Sequence, residues 1–287
     1  MTTRRCVSVV TVTYQSRQHI ALCLSSIAST APEWTTDCTV VDNASTDGTA
    51  EYVRREFGWV SVIESSQNLG YGRAINLAAK RAAGQYLLIL NPDVVLRPQA
   101  VAELVRFMDH RPEAAACGQM LLSPAGRFRY ESRRGFPTPW NAMGYMLGLG
   151  KLLPQSRLFG GYHSRWLSPN LEIATDSLSG SCMMVRRERF EQVGGFDEDY
   201  FLFGEDIDLC WKLKRAHHEI WYVPSAIVVH AKGASMLHAR KTARREFYRS
   251  MRIFINKRLV SIYPRPLIWA TRMGIGVAEL FNLKYRR

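Results

Sequence analysis

Short β-branched runs alternate with longer stretches of helical spacing along the first 120 residues. VSVVTVTY (7–14) reads as a buried strand, and Ser16 can cap a helix running to about Ser29. CTVVD (38–42) is a second strand, followed by the capping turn NASTDGT and a helix to about Phe57. VSVIE (60–64) is a third strand. NLGYGRAINLAAKRAAG is a glycine loop feeding an alanine-rich helix that stops at Gly84. QYLLIL (85–90) is a fourth strand ending at Asn91-Pro92-Asp93, and a helix follows from about Pro98 to His110. AAACGQM (114–120) suits a further strand. This alternation predicts βαβ units and a largely parallel sheet.

The pattern weakens over residues 121–175, where aromatics, Gly and Arg crowd together as in an inserted or variable region. It then resumes with the strand SCMMVRR, a short helix to Val193, the tight turn GGFDEDYF and a helix from about Glu205 to His217. Two strands, IWYV and AIVVH, close the body. From near Ala239, Phe247, Met251, Phe254, Ile255 and Leu259 recur at helical spacing, with Arg244, Arg245, Arg249, Arg252, Lys257 and Arg258 on the other faces. That is a basic amphipathic helix. The expected division is a body over 1–238, with halves 1–120 and 121–238, and a helical tail over 239–287.

Composition sharpens this picture in three ways. A hydrophobic fraction of 47% across 287 residues is enough to bury a substantial core. The six cysteines have no CxxC spacing and lie mostly in apolar runs, which reads as reduced core thiols rather than a zinc site. No uncharged apolar run reaches the roughly 18 residues that a membrane span needs. The net charge of +13 belongs to the tail: residues 1–120 are neutral, residues 121–240 carry +3, and residues 241–287 carry +10. The body therefore lacks the basic field of a nucleic-acid-binding protein, and no nucleic-acid motif accompanies it.

Ligand sites in open α/β sheets gather at the carboxyl ends of the strands. Asp42 ends the second strand; its carboxylate could accept the N3–H of uracil or thymine, or close its own turn. The first βα turn has no GxGxxG, which argues against a dinucleotide. Asp93 stands at a sharp strand end, where one carboxylate would suffice for Mg²⁺ or Mn²⁺ on a diphosphate. His230, ending the last strand, could add a nitrogen ligand, which suits Mn²⁺. Each could equally be structural. Gly70 and Gly72 permit close backbone approach ahead of a helix N-terminus, as a phosphate site or a plain turn requires. Glu205, Asp206 and Asp208 open a helix beside Phe201, Phe203 and Trp211. Acids there complement the helix dipole; alternatively one of them is a general base for an acceptor hydroxyl, with the rings as a sugar platform.

VVTVTYQS, VVDNASTDGT, NLGYGRAIN, LLILNPDV, GSCMMVRRERFEQVGGFDEDYFLFGEDIDLCWKLK and VVH occur in this order over roughly residues 7–232. Together they resemble the inverting family 2 glycosyltransferases of GT-A fold, in particular the bacterial rhamnosyltransferase-like set that builds cell-envelope polysaccharides. The resemblance implies a Rossmann-like mixed, mainly parallel sheet flanked by helices. It implies that Thr13, Tyr14, Asp42, Asn68, Gly70, Gly72 and Asn91 line a pyrimidine-nucleotide site. Asn91 and Asp93 match the DxD metal motif, with Asp93 and His230 as ligands of Mn²⁺ or Mg²⁺; Asn91 removes one anionic ligand from that motif. Asp206 matches the catalytic base, with Glu205, Phe203 and Trp211 on the acceptor side.

The implied reaction moves a sugar, best taken as L-rhamnose from dTDP-rhamnose, onto a lipid-linked or polysaccharide acceptor. A UDP-hexose donor (galactose, glucose or N-acetylglucosamine) or a catalytically silent nucleotide-sugar-binding protein are the alternatives. The basic tail would suit an anionic membrane and an acceptor on a polyprenyl diphosphate, giving a cytoplasmic protein peripheral on the inner face of the cell membrane. The same helix could instead pack on the body with a solvated basic side.

Overall fold

The computed structural model describes residues 6–141, 152, 156, 161–231 and 240–281. Part of the variable region and the start of the tail near Ala239 lie outside these residues. β-Branched and leucine-rich runs form a nine-stranded sheet of order β3-β2-β1-β4-β10-β6-β11-β5, with β8 pairing β11. The strands are β1 (Val7–Thr13), β2 (Thr35–Asp42), β3 (Ser61–Glu64), β4 (Tyr86–Leu90), β5 (Val94–Leu96), β6 (Ala114–Leu122), β8 (Ile173–Ala174), β10 (Cys182–Arg186) and β11 (Glu219–His230). A two-stranded ribbon joins β7 (Arg133–Arg134) to β9 (Ser177–Leu178). β5, β8 and β10 run against the rest, so the sheet is mixed and mainly parallel.

Helices cover both faces. On one, α1 (Ile20–Thr30), α2 (Thr49–Glu56) and α4 (Ala100–His110) bury Ile20, Leu24, Ile27, Val53, Leu104 and Met108. On the other, α3 (Tyr71–Ala79), α5 (Arg187–Gln192) and α6 (Glu205–Arg215) bury Ile75, Phe190, Leu209, Cys210 and Leu213. All six cysteines are buried in this core.

Three elements differ from the sequence reading. α3 ends at Ala79, and Gly84 lies beyond it, pressed against β1, where a Cβ would sit 2.6 Å from the Ser8 nitrogen. IWYV and AIVVH are one strand, β11, whose register against β6 shifts between Val223 and Ile227. Pro224 falls in that shift, because a proline has no N–H for the ladder. β5 follows Asn91-Pro92-Asp93 where only a turn was expected, and pairs antiparallel with β11.

The C-terminal region comprises α7 (Arg240–Phe254), a π-helical turn (Ile255–Leu259) and α8 (Arg265–Leu280). Among the described residues no helix is long and apolar enough to cross a membrane. The apolar stripe expected to face a bilayer is taken up by the body. Tyr248, Phe254, Ile255 and Leu259 are buried in a third cluster with Ile207 of α6, and Phe247, Met251 and Trp211 pack against it. Arg258 fastens this cluster: its Nε and Nη2 donate to Asp208 Oδ1 and Oδ2 at 2.7 and 3.0 Å, and the Tyr200 hydroxyl adds a third bond at 3.2 Å. Asp208 is fully buried. Arg258→Met should therefore lower the unfolding free energy by about 3–5 kcal/mol, the usual cost of stranding one member of a buried pair. Lys257→Met, which removes the more exposed pairs to Asp197 and Asp199, should cost about 1 kcal/mol or less. Denaturant melts of the two variants check this contrast.

Candidate active site

The candidate residues meet at one edge of the sheet because β1, β2, β4 and β11 all end there, while β5 and β10 begin there. At the end of β1, the buried Thr13 hydroxyl donates to Asp42 Oδ1 (2.8 Å). Ser45 N–H donates to Asp42 Oδ2 (2.9 Å), so Asp42 closes its own turn while each oxygen keeps a further lone pair. Tyr14 follows as an exposed ring. In the glycine loop, Asn68 Oδ1 accepts the Gly70 N–H (2.9 Å). Asn43 ties the loop to β2, donating to the Gly70 carbonyl (3.0 Å) and accepting from Leu69 N–H (3.3 Å). The glycines have a packing reason. Gly70 has φ +82°, and a Cβ there would lie 2.6 Å from the Phe201 carbonyl oxygen. A Cβ on Gly72 would lie 2.9 Å from that of Phe196.

The β5–β11 pairing sets Val94 opposite His230 and brings Asp93 Oδ1 to 3.1 Å from His230 Nε2. Both side chains are buried. About 3 Å is the edge of an octahedron with metal–ligand bonds near 2.1 Å. Carboxylate and imidazole thus fit as neighbouring ligands of one small divalent cation. Among the described residues no third His, Cys, Asp or Glu joins them. Asn91 is half-buried and anchored by its backbone N–H to the Ser181 carbonyl (2.8 Å).

Asp206 lies in the first turn of α6, after Gly204 at φ +83°. Its Oδ2 accepts from Gly180 N–H (2.8 Å) and from Arg134 Nη2 (2.6 Å); Oδ1 accepts from Ile207 N–H (2.8 Å). Arg134 Nη2 also donates to the Leu178 carbonyl (2.6 Å), so the ribbon β7–β9 aims the guanidinium. Burial is the largest single influence on Arg134 and lowers its pKa; the Asp206 charge and hydrogen bond, with Tyr162, together more than offset it and keep the group cationic. Glu205 has no such countercharge, and its Oε2 is buried with no hydrogen-bond partner. Burial, and then the charge of Asp206, push its pKa from 4.5 up to about 8. The shift favours the protonated carboxyl, which is able to donate a hydrogen bond.

A match to the Glycosyl transferase family 2 model spans residues 8–194. The chain belongs to glycosyl transferase family 2. A second model, N-terminal domain of galactosyltransferase, matches residues 162–238. An N-acetylglucosaminyl-diphospho-decaprenol L-rhamnosyltransferase of Mycobacterium tuberculosis is 34% identical over 280 residues, covering 94% of this chain and 90% of its own. The Escherichia coli rhamnosyltransferase WbbL is 28% identical over 170 residues, 56% of this chain and 60% of its own. Among solved structures, the mannosyltransferase PcManGT of Pyrobaculum calidifontis, in complex with GDP-Man and Mn²⁺, superposes with a TM-score of 0.61 at 20% identity. It covers 98% of this chain and 72% of that one. S. aureus TarS in complex with UDP-GlcNAc gives 0.59 at 18% identity, over 96% and 73%. The fold is that of the GT-A glycosyltransferases.

In this family 2 glycosyltransferase the Tyr71 hydroxyl is anchored next to the acidic cluster. It donates to the Gly180 carbonyl (2.8 Å), and its pKa is raised first by burial and then by the charges of Glu205, Asp206 and, more weakly, Asp93. Gly180 and Ser181 link the base cluster and the strand end before the Asp93–His230 pair along the backbone: Gly180 N–H donates to Asp206, and the Ser181 carbonyl accepts from Asn91 N–H. The two rings expected on the acceptor side, both half-buried, have aromatic packing partners. Trp211 sits between Phe136 (4.8 Å) and Phe254 (5.6 Å) in the third cluster. Phe203, at φ +68°, packs edge-on against Phe247. A basic pocket of about 470 Å³, lined in part by Lys212, Arg215, Lys257 and Arg258, lies at the other end of α6 from Asp206.

Sequence reasoning passed over Asn43, Tyr71, Arg134 and Gly180. Asn43 and Tyr71 stood inside motifs already in view; Arg134 lay in the stretch without periodicity. The Glu205 carboxyl generates a test. Between pH 4.5 and about 8 the folded state holds a proton that the unfolded state has released, so stability falls as pH rises through that window. Glu205→Gln should raise the melting temperature at pH 8 and leave it unchanged near pH 4.5. Calorimetry across that range checks the sign, each pKa unit corresponding to about 1.4 kcal/mol.

Proposed function

We propose that this glycosyltransferase moves L-rhamnose from dTDP-rhamnose onto a hydroxyl of a lipid-linked diphosphate saccharide in cell-envelope polysaccharide synthesis, with inversion. The observation that carries the reading is the buried Asp206 carboxylate, held by Arg134 and by Gly180 N–H, next along the chain to the Ser181 carbonyl that anchors the strand end leading to the Asp93–His230 pair. The choice of sugar and acceptor is supported by the rhamnosyltransferase relative that matches nearly the whole of both chains.

Asp206 takes the proton of the acceptor hydroxyl as its oxygen attacks the anomeric carbon, and the bond to the donor diphosphate breaks on the opposite face. Arg134 keeps Asp206 aimed. Glu205, as a neutral acid, donates to a sugar oxygen. Asp93 and His230 would hold a divalent cation, which would supply positive charge to offset that of the departing diphosphate. The Asp42 turn, with Thr13 and Tyr14, receives the pyrimidine. The enzyme works at an anionic membrane surface, where its acceptor is held.

Asp206→Asn should lower turnover about 10²–10⁴-fold and leave dTDP affinity unchanged. Steady-state rates beside calorimetric titration separate the two, and undiminished turnover would remove Asp206 from the role. Asp93→Ala and His230→Ala should each abolish stimulation by Mn²⁺ or Mg²⁺. A thermal-shift panel of dTDP, UDP, GDP and CDP, each with and without metal, fixes the donor class. Saturation a hundredfold above Kd adds about 2.7 kcal/mol of stability. Selective stabilisation by UDP would replace rhamnose with a UDP-hexose.

A further inference from the structure

The C-terminal helix α8 is apolar on two faces. Ile268, Ile275 and Ala278 are buried against the body. On the opposite side Trp269 (65% exposed), Met273, Val277 and Leu280 (80%) stand in solvent, and Phe281 extends the row. At 3.6 residues per turn the first four fall within about 80° of the helix circumference. Arg265 and Arg272 lie exposed along one flank of this stripe. A lone exposed leucine is ordinary, but a contiguous apolar row on a helix already anchored by its other face marks a docking surface.

Charge selects the occupant. Residues 241–287 contain twelve Lys and Arg against two Asp and Glu, Glu246 and Glu279. Both acids are engaged, Glu246 by Arg245 and Arg249, and Glu279 by Arg252. A second copy meeting this face across a two-fold axis would set like charges against each other. An anionic bilayer complements both the arginines and the row, and tryptophan is suited to the depth at which such a helix lies.

We infer that α8 is an interfacial helix that seats Trp269, Met273, Val277 and Leu280 in the headgroup region of an anionic phospholipid bilayer. The inference rests on the membrane-surface reading of the acceptor but assigns the contact to α8 instead of α7, whose stripe is occupied within the fold. It also says why deleting the tail is a poor test, since α7 belongs to the core.

The test uses the full chain with vesicles of phosphatidylglycerol and phosphatidylcholine. The protein should float with the anionic vesicles and not with pure phosphatidylcholine. Brominated lipid should quench its fluorescence, and Trp269→Phe should remove most of that quenching. Met273→Glu/Val277→Glu should cut partitioning at least tenfold while melting temperature and dTDP stabilisation stay unchanged. Undiminished binding by the double variant, or quenching that survives Trp269→Phe, would overturn the proposal. So would a lipid-free dimer in sedimentation that the double variant makes monomeric, because the face would then belong to a second copy. Vesicle binding through α8 without rhamnosyl transfer would leave this surface standing and overturn the donor and acceptor assignment alone.

Discussion

Three carboxylates within four residues, at the head of one buried helix, cannot all be kept charged in a nearly dry interior without countercharge. The site of this enzyme follows from how that conflict is resolved. Asp206 receives Arg134 and two backbone N–H groups. Asp208 receives Arg258 and the Tyr200 hydroxyl. Glu205 forms no ion pair, and burial followed by the Asp206 charge raises its pKa well above the usual carboxylate range. One sequence cluster thereby becomes a carboxylate aimed at the site, an anchor for the C-terminal helices, and a hydrogen-bond donor. The helix dipole, which favours acids at this position, contributes to all three and distinguishes none of them.

Both countercharges arrive from far along the chain. Arg134 is carried on a two-residue strand whose partner, Ser177–Leu178, is itself only two residues long. Arg258 stands in a π-helical turn beyond α7. Placement therefore depends on the packing of Phe136, Trp211 and Phe254 between these pieces.

This explains what could be read from sequence. The strand ends at Thr13, Asp42, Asn91 and His230 were legible because β-branched runs stop abruptly at polar residues, and sheet topology carries such ends to one edge. Asp93 and His230 were already joined in the sequence reading, but the element that brings them into contact, β5, is a three-residue strand too short for a periodic signal. Arg134 was illegible because an arginine among many, in a stretch without periodicity, gives no sign of a partner 72 residues away. The packing partners of Trp211 were illegible for a related reason: helical spacing places a ring on a face without saying what covers that face. The tail's apolar stripe was found, but its destination is decided by tertiary packing.

β10 has a consequence for how the molecule is made. It lies between β4 and β6, antiparallel to both, although residues 91–181 separate it from β4 along the chain. As the chain leaves the ribosome, β1 to β4 can assemble early, but the flank of β4 stays open until Cys182–Arg186 has emerged. An open strand flank invites pairing with other chains, and contacts of such sequence separation close slowly. A fragment ending near residue 120 would therefore carry an exposed sheet edge, and the two halves suggested by the sequence are joined by a strand that neither can do without.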